Sequence, residues 1–365
     1  MTDFEKLNHS TSHLMAEAIT HLYPGAKFGF GPAIEEGFYY DIDFPTPITE
    51  EDLPAIEKEM HKIAAKNEKF VKEVITKEEA KKLITTRDSY INNLTKLDLD
   101  CRCHKRRATL DEYLQLCENS VLDFTEKESL LLTYIIAEVD SELKRRGMML
   151  PFVENINLVK TSGDEENNAV AYTRGNTIYI TNEAFKVGDG FAEHMFVHEL
   201  FHVLTRNCTE FKKAIYKIIG YTVEDKFFDY PLTALGSFIS NPDVCNQVCH
   251  AKLKVDGMEF DTIVLTFSRW RSYKGGAFKS YFHPHFFVLD DNHEFKRDEH
   301  YELMVFQGFQ MADSYFEHIG RNTRYCVNPE EALAENFVIA VLGTQNDLPN
   351  PEIIDSIRKT MHYRA

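Results

Sequence analysis

Apolar and polar positions along the chain follow two different periods, and each change of period marks a new element. A helical pattern runs from about Ser10 to Leu22 and is closed by Pro24-Gly25. The glycine-punctuated aromatic stretch Phe28–Asp43 reads as strands with tight turns. From about Glu50 to Lys69 the positions Leu53, Ile56, Met60 and Ile63 form one stripe, which predicts a long amphipathic helix. A second helix is expected over Lys77–Ile84, and the polar stretch Thr85–Asp100 reads as a linker. Helical segments follow at about Leu110–Leu122 and Glu126–Arg146. Strands are expected at Ile156–Lys160 and Ala169–Ile180, the latter folded at Thr173-Arg174-Gly175-Asn176. The next helix spans about Gly190–Arg206, with Asp189 as N-cap and Asn207 as stop. Residues 260–290 alternate around Gly275-Gly276 and suggest a β-hairpin, and a further helix starts at Asn328-Pro329.

Composition narrows the partners. With 365 residues there is room for two or three domains, and 27 Phe and 17 Tyr can furnish an aromatic core. No apolar run approaches about 18 residues, so no membrane span is expected. The first residues lack a basic segment followed by an apolar one, so no secretory signal is expected. Seven irregularly spaced cysteines then read as reduced thiols in a cytoplasmic setting. The net charge of −17 opposes the approach of polyanions, so nucleic acid is not expected as the main partner. No pattern in the chain encodes an oligomeric state.

The most informative run is His198-Glu199-Leu200-Phe201-His202. On a helix, residues four apart share a face, so both imidazoles can point at one ion while Glu199 reaches a metal-bound water. The apolar flanks Phe191, Met195, Val197, Leu200, Phe201, Val203 and Leu204 suit burial of such a helix. Catalytic zinc ordinarily takes a third protein ligand and leaves one position open. The best source is Asn328-Pro329-Glu330-Glu331-Ala332-Leu333-Ala334-Glu335, where Glu331 and Glu335 also lie four apart. Glu330, Glu335 and the strand histidines His283 and His285 compete for that place, and Glu331 also sits where a capping box would use it. His283, Tyr301 and Tyr325 are candidates for stabilising an oxyanion, and His194 reads as a structural neighbour.

The two motifs resemble the gluzincins, metallopeptidases that pair HExxH with a later helical glutamate followed four residues on by an acidic group. The resemblance implies His198, His202 and Glu331 as zinc ligands, Glu335 as the group orienting a ligand imidazole, and Glu199 as the general base. It covers two short motifs, and the interval of 129 residues from His202 to Glu331 is far longer than in thermolysin-like enzymes. A peptide or protein substrate would lie along the edge of the preceding strands.

A different likeness covers residues 5–84. His9 and His13 are four apart, followed by Tyr23-Pro24-Gly25 and by Gly37-Phe38-Tyr39-Tyr40-Asp41, in that order. This resembles the first half of the threonyl-tRNA synthetase editing domain, where an HxxxH works with a later CxxxH to form the deacylating site. The pattern is lost after about Ile84, and Cys101-Arg102-Cys103-His104 has a different spacing. Residues 1–95 hold 17 acidic and 11 basic residues, a balance that does not favour tRNA.

The sequence thus leads to an α+β chain. An incomplete editing-domain-like module (1–95) precedes a zincin-like metallohydrolase domain (105–365) that cleaves amide bonds with Zn2+. The alternatives are a freestanding aminoacyl-tRNA deacylase and a metal-free interaction protein.

Overall fold

The computed structural model describes residues 3–361 except 29–32, 35–36, 67–72, 227, 245–247 and 344–346, so part of the run containing Gly31-Pro32 and Glu35-Glu36 lies outside it. The chain is a mixed α+β protein. Its first helix, α1 (Asp3–Leu22), begins well before Ser10, and α2 spans Leu53–Lys66. Between them lie two short antiparallel pairs, β1 (Lys27–Phe28) with β4 (Ile42–Asp43) and β2 (Ala33–Ile34) with β3 (Gly37–Phe38). Ala18 and Ile19 of α1 meet Ile56 and Ile63 of α2, the stripe visible in the sequence.

The stretch read as a linker is folded. Helices α3 (Lys77–Thr85), α4 (Ser89–Asn93) and α5 (Lys96–Arg102) precede α6 (Leu110–Ser120), β5 (Val121–Leu122) and α7 (Glu126–Arg145). Reciprocal Thr-x-x-Glu/Asp caps start α3, α5, α6 and α7, with Thr95 and Asp98 opening α5 inside the supposed linker. Such caps are a sequence-level signal, and the polar composition that suggested a linker comes partly from them. Arg102 anchors the segment. It is fully buried, donating from Nε to Glu166 at 3.0 Å, from NH1 to Asp98 at 3.0 Å and from NH2 to the Ser240 carbonyl at 2.8 Å.

Strands β6 (Asn157–Thr161), β7 (Ala171–Arg174) and β8 (Thr177–Thr181) complete a sheet of order β5-β6-β8-β7, parallel only between β6 and β8. The turn between β7 and β8 falls where the sequence placed it. Helix α8 (Asp189–Asn207) follows, with Gly188 rather than Asp189 at its N-cap and Asn207 still inside it. After α9 (Thr209–Ile218), β9 (Thr222–Val223) and α10 (Leu232–Leu235) come β10 (Cys249–Val255), β11 (Met258–Phe267), β12 (His283–Val288) and β13 (Val305–Gln307). These strands form an antiparallel sheet of order β13-β12-β11-β10-β9.

The tight hairpin in this sheet is not at Gly275-Gly276. It joins β10 to β11 through Asp256 (φ 49°) and Gly257 (φ 78°), a pair of left-handed residues suited to a two-residue turn. β11 and β12 do pair antiparallel, but across a long connection that contains Gly275-Gly276. Helices α11 (Gly308–Ile319), α12 (Pro329–Leu342) and α13 (Pro351–Met361) close the chain. The main apolar core lies where α8 packs along α12, with Phe201 and Phe337 in ring contact at 5.4 Å. Among the described residues no helix is long and apolar enough to cross a membrane.

Candidate metal centre

Helix α8 presents His194, His198 and His202 at four-residue intervals, and α12 presents Glu330, Glu331 and Glu335 opposite them. Asn328 caps α12 by accepting the Glu331 N–H at 3.0 Å, but the Glu331 carboxylate faces α8. Its Oε2 lies 3.0 Å from His198 Nε2 and 3.6 Å from His202 Nε2, and its Oε1 accepts from Asn241 Nδ2 at 3.0 Å. Each ring meets a second carboxylate at Nδ1: Glu335 lies 2.9 Å from that atom of His198, and Glu330 lies 3.1 Å from that of His202. Glu335 also takes His194 Nε2 at 3.0 Å, so His194 joins the network without facing Glu331.

This arrangement suits a cation. A neutral imidazole that donates its Nδ1–H to a carboxylate turns a lone pair outward at Nε2. Two such lone pairs and the Glu331 oxygen converge, with one ligand atom from each of His198, His202 and Glu331 within 4.8 Å of the others. His202 Nε2 is buried without a hydrogen-bond partner. Three acceptors gathered in a buried place are stable around a divalent ion or around protons. Protons take the role when no ion is bound. Burial lowers the affinity of His198 for a proton, but its bonds to Glu331 and Glu335 outweigh that and push the pKa up to about 9. Burial alone would raise the carboxyls of Glu330 and Glu335, yet the histidines hold each down at about 2.

Glu199 is buried beside the pair, and its Oε2 accepts from Thr173 Oγ1 of β7 at 2.7 Å. Burial raises its carboxyl, with the two imidazoles opposing. Asp243 stands close to Glu199 and His202, and its own carboxyl is raised by loss of water and then by the Glu199 charge. An ion held here would acidify a bound water, for which Glu199 is the nearby proton acceptor.

The other candidates fall elsewhere. His283 and His285 lie on β12 and form no ligand group with His198 among the described residues. Tyr301 is on an exposed turn, whereas the Tyr325 ring stands 6.1 Å from that of His198. Cys101 packs against Leu97, Ile239 and Tyr281, and burial pushes its thiol up to about 12. His9 and His13 are four apart on α1, and their side chains are outside the described ones. Sequence reasoning missed the tie from Glu330 to His202, and with it Asn241, Thr173 and Asp243. Only Glu330, adjacent to Glu331, carried a signal.

The edge proposed for an extended peptide is occupied by the chain itself at Thr173. β8, which leads into α8, is paired on both sides, and β7 is the edge strand. There the Thr173 N–H already donates to the Asp243 carboxylate at 2.6 Å.

Comparison with known proteins points away from peptide cleavage as well. A threonine–tRNA ligase of Phytoplasma australiense is 58% identical over 80 residues, covering 22% of this chain and 12% of the ligase. One from Listeria welshimeri is 45% identical over 125 residues, covering 33% and 19%. One from Dehalococcoides mccartyi is 36% identical over 127 residues, covering 35% and 21%. Part of the chain is thus similar to threonine–tRNA ligases, and the chain spans only about an eighth to a fifth of their length. No family model matches. The reading as a zinc-dependent peptidase is therefore corrected: the relatives are ligases of the threonine tRNA system, and they favour the editing-like alternative.

Proposed function

We propose that the chain acts on aminoacyl-tRNA, as a deacylase of the threonyl-tRNA synthetase editing type that hydrolyses the ester between amino acid and tRNA. The observation that carries this reading is the 58% identity over 80 residues to a threonine–tRNA ligase. The motifs of residues 5–84 occupy a segment of the same length. In this reading His9 and His13, four residues apart in sequence on α1, are the groups that act on the ester. The remainder of the chain, with its α8–α12 pair, has a zincin-like arrangement that holds Zn2+ through His198, His202 and Glu331. That ion serves the fold by tying the two helices together, and no step of ester hydrolysis is routed through it. The net charge of −17 makes tRNA engagement local and strongly salt-dependent.

The test is to incubate the purified full chain with seryl-charged threonine tRNA and follow loss of the ester. Loss that disappears in His9→Ala or His13→Ala and survives Glu199→Gln supports the proposal. No loss above the spontaneous rate, or loss indifferent to both histidines, overturns it.

A further inference from the structure

A second cluster of metal-ligating side chains lies on the β9–β10–β11 face of the antiparallel sheet, apart from the α8–α12 pair. His250 of β10 is 6% exposed, and both of its ring nitrogens face carboxylates. Its Nδ1 lies 2.7 Å from Asp261 Oδ1 on β11, and its Nε2 lies 3.0 Å from Glu224 Oε1 just after β9. A third group closes in from a turn. His293 Nδ1 is 3.4 Å from the same Glu224 oxygen, and the two imidazole rings are 4.7 Å apart.

The backbone that delivers these groups is well tied. The Glu224 N–H donates to the Val248 carbonyl at 2.7 Å and extends the β9–β10 pairing by one residue. His293 adopts the left-handed region (φ 59°), which L-residues rarely adopt. It is held there by Asp290, whose carbonyl accepts the His293 N–H at 3.0 Å and whose carboxylate accepts from the N–H groups of Asn292 and Glu294. Phe228 packs edge-on against His250 at 6.1 Å and walls one side.

We propose that Glu224, His250 and His293 form a second divalent-metal site, suited to Zn2+, in which Asp261 orients the His250 ring. In the neutral ring the shorter contact to Asp261 favours Nδ1 as the donor, which puts the lone pair that a metal would use at Nε2, on the Glu224 side. Without an ion a proton joins Nε2 to that carboxylate as a hydrogen bond; a cation takes the proton's place between the two groups, and His293 supplies the third donor. One ligand atom from each of the three residues already lies within 4.8 Å of the others. The carboxylate–histidine–metal order is the one that fixes tautomer and ring direction in zinc sites. The donor set of two nitrogens and one oxygen fits zinc and cobalt, rather than magnesium or calcium, which prefer oxygen. Bound there, the ion clamps the turn at 290–294 onto the sheet.

The site is tested on the metal-free full chain by zinc titration against a chromophoric chelator and by cobalt titration followed through its visible absorption. One equivalent is expected to persist in the His198→Ala/His202→Ala variant and to be lost when His293→Ala is added. In the otherwise native chain, His293→Ala removes one equivalent and Asp261→Asn weakens it by about 10- to 100-fold. His293 is exposed, so its removal spares the core; should the double-histidine variant not fold, the native-background comparison decides. Zinc stoichiometry and affinity unchanged by His293→Ala overturn the proposal. Loss of all zinc in a folded His198→Ala/His202→Ala protein also overturns it and leaves the α8–α12 centre standing.

Discussion

Replacing Arg102 with methionine is expected to be among the most damaging single changes in the chain. Methionine fills much of the same volume but removes every N–H donor. The Ser240 carbonyl and Glu166 Oε2 each lose the Arg102 donor. Glu166 keeps the Tyr90 and Tyr113 hydroxyls, which donate to its Oε1 at 2.6 and 2.7 Å, and Asp98 keeps the Ser240 and Thr95 donors. Two buried carboxylates then remain without the positive charge that balanced them. Removing one partner of a buried ion pair costs about 3–5 kcal/mol. The chain carries its own reporter, because Trp270, its one tryptophan, stacks edge-on with Tyr281 at 5.1 Å in the cluster that holds Leu97 and Cys101 of α5. Urea unfolding followed by Trp270 fluorescence should show the Arg102→Met midpoint falling by the equivalent of about 3–5 kcal/mol. Adding Glu166→Gln removes one stranded charge and should restore part of the loss. A shift below about 1 kcal/mol, or a double variant less stable than Arg102→Met, would refute the reasoning.

Three further outcomes follow from the same structure. Glu330→Gln leaves a side chain of similar size beside His202 but weakens its hold on the ring, so zinc affinity at the α8–α12 centre should fall about 10- to 100-fold in chelator competition; an unchanged affinity would show that Glu330 does not orient His202. With His198 raised from 6.5 to about 9, its ion pairs stabilise the metal-free protein fully below pH 6.5 and are lost as pH rises through 9. Zinc must displace that proton, so its affinity should climb over the same interval by up to about tenfold per pH unit, and a flat profile between pH 6.5 and 9 would contradict the proton-filled site. Gly257→Ala places a Cβ in open space but at φ +78°, so it should cost about 1–2 kcal/mol in the urea midpoint through backbone strain alone; a neutral result would argue against the left-handed hairpin turn.

The sequence determined what depends on neighbours a few residues apart. Helical spacing put His198 and His202 on one face, Asn328-Pro329 set the start of α12, and the stripe Leu53, Ile56, Met60, Ile63 marked the face of α2. Local caps at Thr95 and Asp98 also encode α5, although their polar character read as a linker, and Asp256-Gly257 encodes a hairpin that Gly275-Gly276 obscured. The resemblance over residues 5–84 lies in the order of motifs and so was legible without a structure. What only the tertiary structure decided is convergence. Nothing in a period of 3.6 residues brings Glu331 back across 129 residues to His198, or sets Glu330 against His202. Nor does it lay Asp243 along the β7 edge or aim Asp261, Glu224 and His293 at His250. Those placements follow from burying apolar faces of α8 and α12 against each other and from sheet register, and both are settled by the packing of the whole chain.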